Sequence, residues 1–121
     1  MAVSIQDLID KRESMQSARK QTYDLETSAG TFTVKKPSRG FIIEAMELDA
    51  NVTDQYIILN SVVSPNLKDK SLQDAYGCIE PTDILNQLFD SGEIASISKA
   101  IMKCAGYGEN IKAEVHEEAK N

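Results

Sequence analysis

His116 is the one histidine in 121 residues, set between Val115 and Glu117 near the C-terminus. General acid–base work needs an imidazole held in place with a tuned pKa. A charged stretch poor in large apolar residues supplies neither, so the expected state of His116 is solvated. The thiols to consider are Cys78 and Cys104. With no second histidine, a nucleophilic dyad or triad built on either is hard to assemble. Both stand among apolar residues, where free cysteine packs as a small hydrophobe. Buried structural roles are expected for them, since their spacing fits neither a disulfide framework nor a zinc site.

Carboxylate clusters offer little more. Asp69/Asp74 and Glu117/Glu118 lack the several oxygen ligands and the glycine, at set spacing, of a calcium loop. Gly106-Tyr107-Gly108 comes after a helical pattern, whereas phosphate cradles open a helix. A helix C-cap is the better assignment for it. No acid–base pair, metal set or phosphate loop emerges, and the expectation is a protein that is not an enzyme, with no cofactor.

The elements that would position a site are nevertheless readable. Ser4 with Asp7 has capping-box spacing, and Ile5, Leu8, Ile9 and Met15 share one face, predicting an amphipathic helix over residues 4–19. Thr22, Tyr23 and Leu25, then Gly30, then Phe32 and Val34 predict a β-hairpin. Two strands alone are marginal in water, so the hairpin needs helices or a further strand. Phe41, Ile42, Ala45 and Met46 predict a helix from about residue 39 to 48. A third helix, capped at Asn51 or Thr53, runs through Tyr56–Val63 as the expected centre of the core, with a strand as the less favoured reading of its β-branched run. Ser71 and Asp74 are expected to cap a short helix ending near Gly77. Pro81 and Asp83 are expected to open another, buried through Ile84, Leu85, Leu88 and Phe89. Asp90 and Glu93 have capping-box spacing ahead of the regular stripe Ile94, Ile97, Ile101, Met102 and Ala105.

The fold class expected is therefore mainly α within α+β: a small helical domain with one N-terminal β-hairpin. Residues 1–108 form the domain and residues 109–121 a charged tail. Removing that tail after Gly108 is expected to leave the thermal melting temperature nearly unchanged; a large drop would contradict the assignment.

Bulk properties set further limits. A chain of 121 residues suits one domain, with 41% hydrophobic and 26% charged residues as in ordinary globular proteins. Nineteen acidic against thirteen basic residues leave a net charge of −6, which repels a phosphate backbone. Basic pairs at Lys11/Arg12, Arg19/Lys20 and Lys35/Lys36 are mostly flanked by acids, so no nucleic acid is expected as a partner. The N-terminal residues lack a signal-peptide core, and no apolar run reaches membrane-spanning length. No membrane partner is expected.

One stretch carries more than chemistry. Residues 63–83, with Pro65, Asn66, Leu67, Asp74, Tyr76, Gly77, Pro81 and Asp83 in that order, resemble a segment of the XkdN-like phage tail assembly chaperones of PBSX-type phages and prophages. Val34-Lys35-Lys36-Pro37 upstream, then Ser91–Met102 and Ala105–Gly108 downstream, keep the same order and spacing, so the likeness spans about residues 5–108. None of these motifs is catalytic. The resemblance implies a protein that binds the tape measure protein, helps bring tail tube protein to it, and is absent from the finished virion. It also implies work in the cytoplasm of the bacterial host, where some loci add a longer frameshifted product that contacts the tube. A homo-oligomer is expected. Two apolar stripes are candidates for self-association or client binding: Ile5, Leu8 and Ile9 at the start, and Ile94, Ile97 and Ile101 at the end, the latter expected to be core. The outer hairpin strand is a further candidate edge. The alternative is a structural tail or head–tail joining protein retained in the particle.

Overall fold

Ser4 opens the chain's first element as expected: its hydroxyl accepts from the Asp7 N–H at 3.1 Å, and the Asp7 carboxylate accepts from the Ser4 N–H at 3.0 Å. Those bonds hold the Asp7 carboxyl below the usual carboxylate range. The computed structural model, which describes residues 2–116, divides the helix anticipated over 4–19 in two. Helix α1 spans Ile5–Asp10 and α2 spans Arg12–Arg19, with Lys11 leaving helical geometry between them. Neither helix buries a side chain, so no packing holds the pair straight through Lys11.

Strands β1 (Thr22–Thr27) and β2 (Gly30–Lys35) form the hairpin, joined by Ser28-Ala29 with Gly30 at φ +118, a value that glycine alone adopts without strain. Tyr23 opposite Val34 and Leu25 opposite Phe32 face the helices. On the other face Thr33 donates to Asp24 at 2.8 Å and Thr31 to Glu26 at 2.7 Å. Those two carboxylates sit on the edge strand of the sheet, where like charges discourage pairing with a second copy.

The hairpin does find its further strand. Helix α3 (Arg39–Met46), capped by Ser38, leads to α4 (Ala50–Ser61), which ends earlier than expected. Val62 and Val63 are not helical but belong to β3 (Val62–Ser64), antiparallel to β2 in the order β1-β2-β3. Three local causes agree. The valines are β-branched, Pro65 pushes Ser64 towards extended geometry, and β2 has a free edge that needs a partner. The cap of α4 is likewise Asp49, which accepts from the Asn51 N–H, in place of Asn51 or Thr53.

Helices α5 (Lys70–Ala75), α6 (Asp83–Leu88) and α7 (Ser91–Cys104) complete the described elements. Helix α4 does sit at the centre. It packs on α7, α3, α6 and β3 and buries Ile57, Ile58 and Leu59. Opposite them lie Ile94, Ile97 and Ile101 of α7, with Ile84, Leu85 and Phe89 from the α6 region and Phe32 and Val34 from the sheet. Phe32 meets Phe89 edge to face at 5.7 Å between centroids. The stripe of α7 is core, although Met102 is only partly buried.

The capping box expected at Asp90 and Glu93 is absent. Glu93 instead reaches the hairpin turn and accepts from the Ser28 N–H at 2.8 Å and from the Ser28 hydroxyl. The hydroxyl bond, then the backbone bond, hold the Glu93 carboxyl below its ordinary range. A depressed folded-state pKa stabilises the fold at pH values above the unfolded pKa, and that contribution is lost as pH falls through the folded value. The melting-temperature gap between the native chain and Glu93→Gln is therefore expected to be steady at pH values well above the ordinary glutamate range and to close only as pH falls below that range. A gap independent of pH would contradict the linkage.

Candidate functional site

Residues 65–83 contain the motif that singled this chain out, and most of its members have a visible structural task. Leu67 is 1% exposed and plugs the core. The Asn66 side chain accepts from the Lys68 N–H at 3.1 Å. Asp69, not the expected Ser71, caps α5: its carboxylate accepts from the Leu72 N–H at 3.0 Å and from the Ser71 hydroxyl. The Gln73 amide ties the segment together by donating to the Leu67 carbonyl at 2.7 Å and the Pro81 carbonyl at 3.0 Å. Gly77, at φ +65, ends α5: its N–H donates to the Asp74 carbonyl, and that of Cys78 to the Gln73 carbonyl.

Asp83 departs from expectation. Its carboxylate does not serve the free N–H groups of α6 but accepts from Ile79 N–H at 3.0 Å and Glu80 N–H at 2.9 Å, bracing the loop before the helix. Pro81 also lies before α6, ahead of the N-cap Thr82. A loop with no ladder must satisfy its backbone through side chains, and these residues do so. Asp74 pairs with Lys70 at 2.9 Å in solvent, a contact of little energetic weight. Pro65 and Tyr76 are exposed.

The chemistry-bearing residues stay apart. Cys78 and Cys104 are half-buried free thiols, where full burial was expected. Desolvation pushes both thiols up, and at Cys78 the charge of Asp83 adds to it, so neither is poised as a thiolate. His116 is exposed in the segment 109–116, which has no regular structure; Glu117 and Glu118, like the rest of the expected tail to Asn121, lie outside the described residues. Among the described residues no group of three or more metal-ligating side chains forms, and no helix is long and apolar enough to cross a membrane.

The open surfaces are of a different kind. Ile5 is 78% exposed, Leu8 53% and Ile9 50%, with Val3 and Met15 alongside them, so the amphipathic face expected there is present and uncovered. The end of helix α2 is tied back where the Lys36 ammonium donates to the Ala18 carbonyl at 2.6 Å. A second surface is a shallow groove of about 440 Å³ lined by Met46, Ile57 and Met102 together with Lys99 and Lys103. Sequence reasoning missed it because its apolar residues come from three helices. Single apolar residues on a surface are ordinary, whereas large contiguous apolar patches are not.

Comparison with known proteins follows the same lines. The crystal structure of the protein yqbn superposes with a TM-score of 0.58 at 20% identity, covering 72% of this chain and 86% of that one, a likeness of fold. No curated protein matches the chain. The family model described as phage XkdN-like tail assembly chaperone protein matches residues 14–120. That match begins within α2, so Ile5, Leu8 and Ile9 precede it, and it continues past Gly108 where the likeness read from the sequence stopped. Since it takes in most of the chain, including every element from the hairpin to α7, the chain belongs to the phage XkdN-like tail assembly chaperone family.

Proposed function

We propose that this chaperone escorts the tape measure protein during assembly of a contractile tail in the host cytoplasm, and leaves before the virion is complete. The observation that carries the reading is the N-terminal arm: α1 and α2 bury no side chain of their own, yet present Ile5, Leu8, Ile9 and Met15 on the surface. A long helical client with apolar stripes would otherwise aggregate, and short amphipathic helices can cover such stripes in the helix-on-helix manner. The work asked of the protein is binding and release, not catalysis, which agrees with separated thiols and an exposed histidine. Several copies side by side along one client make a homo-oligomer on the tape measure the expected working form. Recruitment of tail tube protein, directly or through a longer frameshifted product, belongs to the same proposal.

Co-expression with the tape measure protein of the same locus, then affinity capture and mass measurement, tests it. Many copies of this chain per tape measure, with the client insoluble alone, is the expected result. No complex, together with a stable ring of the protein by itself, would overturn the escort role in favour of a structural tail or head–tail joining component.

A further inference from the structure

The cations of this acidic chain are unevenly spread. Lys35, Lys36 and Lys68 line one cleft of about 360 Å³, where β2 runs into α3 beside the C-terminal turn of α4. Arg19 and Arg39 line a neighbouring cleft that shares Lys36, Pro37 and Ser38 with the first. Five of the thirteen basic residues thus gather around one Pro-Ser junction. Among the described residues none of the five forms an ion pair; the pairs present are Lys70–Asp74 and Lys112–Glu114. In a chain with nineteen acidic residues, that lack of carboxylate partners is not for want of candidates.

Neutral groups hold the lysines instead. Lys36 donates to the Ala18 carbonyl and lies 5.7 Å from the centre of the Tyr23 ring. Lys68 donates to the Asn60 side-chain oxygen at 2.6 Å, and Asn60 is itself fixed by donating to the Tyr56 carbonyl at 2.9 Å. Neutral acceptors position an ammonium without cancelling its charge, so the positive field at this junction is not neutralised.

One buried polar group, closed to solvent, lies behind the same lining. Ser61 is 1% exposed, and its hydroxyl is the buried side-chain polar atom that finds no hydrogen-bond partner among the described residues. An unpaired buried hydroxyl costs about 1–3 kcal/mol, and such groups are rare unless a ligand or another acceptor completes them. Ser61 lines the cleft of the three lysines.

We propose that the cleft lined by Lys35, Lys36 and Lys68 binds side-chain carboxylates of an acidic peptide segment on a protein partner. The lysines supply charge, and the stacked rings of Phe41 and Tyr56, 5.4 Å apart, give the segment's aliphatic stems an apolar wall. A polynucleotide fits less well, because it needs an extended basic track. Here negative groups bracket the cleft: Glu44 accepts from the Tyr56 hydroxyl at 2.8 Å, and Glu80 shares the adjoining cleft with Lys68. The site also gives Lys35 and Lys36 of the Val34–Pro37 motif a task that core packing does not, since Val34 and Pro37 are buried but Lys35 is exposed.

Amide NMR titration of the full chain tests this with a short acetylated, amidated peptide alternating glutamate and leucine. Its glutamine counterpart, inorganic phosphate and a single-stranded DNA oligonucleotide serve as separate probes. The glutamate peptide is expected to give saturable shifts at the amides of residues 35, 36, 38, 61 and 68, weakened by salt. Lys35→Gln with Lys68→Gln should weaken binding at least tenfold. Both lysines are exposed, so the fold should survive, and an unchanged melting temperature verifies that. Unmoved amides, equal affinity in the lysine double variant, or a response to DNA or phosphate without one to the peptide would each overturn the proposal. The arm bearing Ile5 and Leu8 is untouched in these variants, so the outcome is separable from that of tape measure capture.

Discussion

Ile101→Ala is expected to remove about 2–5 kcal/mol of folding stability and to lower the melting temperature by on the order of 10 °C or more. Ile101 is 0% exposed on α7 and belongs to the cluster that includes Ile57 and Ile58 of α4. Those two helices form the principal helix–helix contact of the domain. Truncation removes the transfer energy of the lost methyl and methylene groups and leaves a cavity that close-packed neighbours fill only in part. Total stabilities of about 5–15 kcal/mol leave little reserve against such a loss. Thermal and urea unfolding of the purified variant measure it. A change below about 1 kcal/mol would mean that α7 is not a central wall of the core.

The second large effect falls on binding and leaves folding alone. Ile5→Asp with Leu8→Asp is expected to weaken tape measure capture on the order of 100-fold. Burial of two aliphatic side chains at an interface is worth about 1.5–3 kcal/mol each, and a charge in the same place adds a desolvation cost. Because neither residue is buried within its own chain, the melting temperature should stay where it is. That dissociation between stability and binding is what distinguishes an interaction face from a misplaced piece of core. Pull-down yield, oligomer size by light scattering and thermal melting, taken together, check it. Unchanged capture and unchanged oligomer size would sink the role given to the arm, while the family assignment would stand on its own match.

The two lie at opposite ends of the chain's apolar pattern, and the sequence treats them alike. Ile5/Leu8/Ile9 and Ile94/Ile97/Ile101 are both helical stripes of aliphatic residues. Periodicity says that each makes a face; it does not say what covers the face. In the structure α7 is covered by α4 and the sheet, whereas the apolar stripe of α1 stays exposed among the described residues. The difference is one of position among the other elements, which no local pattern encodes.

Local chemistry was otherwise a reliable guide wherever the physical cause lay within a few residues. The Ser4–Asp7 box, the hairpin around Gly30, the Ser38-led helix and the stops at Gly77 and Gly106 depend on backbone geometry and near neighbours, and all are present. Expectations failed where a distant partner competed. Val62 and Val63 left their helix because β2 offered an open edge 28 residues upstream in sequence, at Val34 opposite Val62. Glu93 gave up its own helix cap for Ser28, 65 residues away. Asp83 turned from α6 to the loop N–H groups that had no other partner.

By itself, then, the sequence determined the mainly helical α+β class, most element types, the lack of an evident acid–base site and the resemblance to tail chaperones, since these rest on composition, short-range pattern and motif order. Only the tertiary structure decided the third strand, which apolar stripe is core and which is bare, and the gathering of Lys35, Lys36 and Lys68 beside the unpartnered Ser61. Each of those depends on segments far apart in the chain meeting in space, where burial and hydrogen-bond satisfaction are settled for the whole molecule at once.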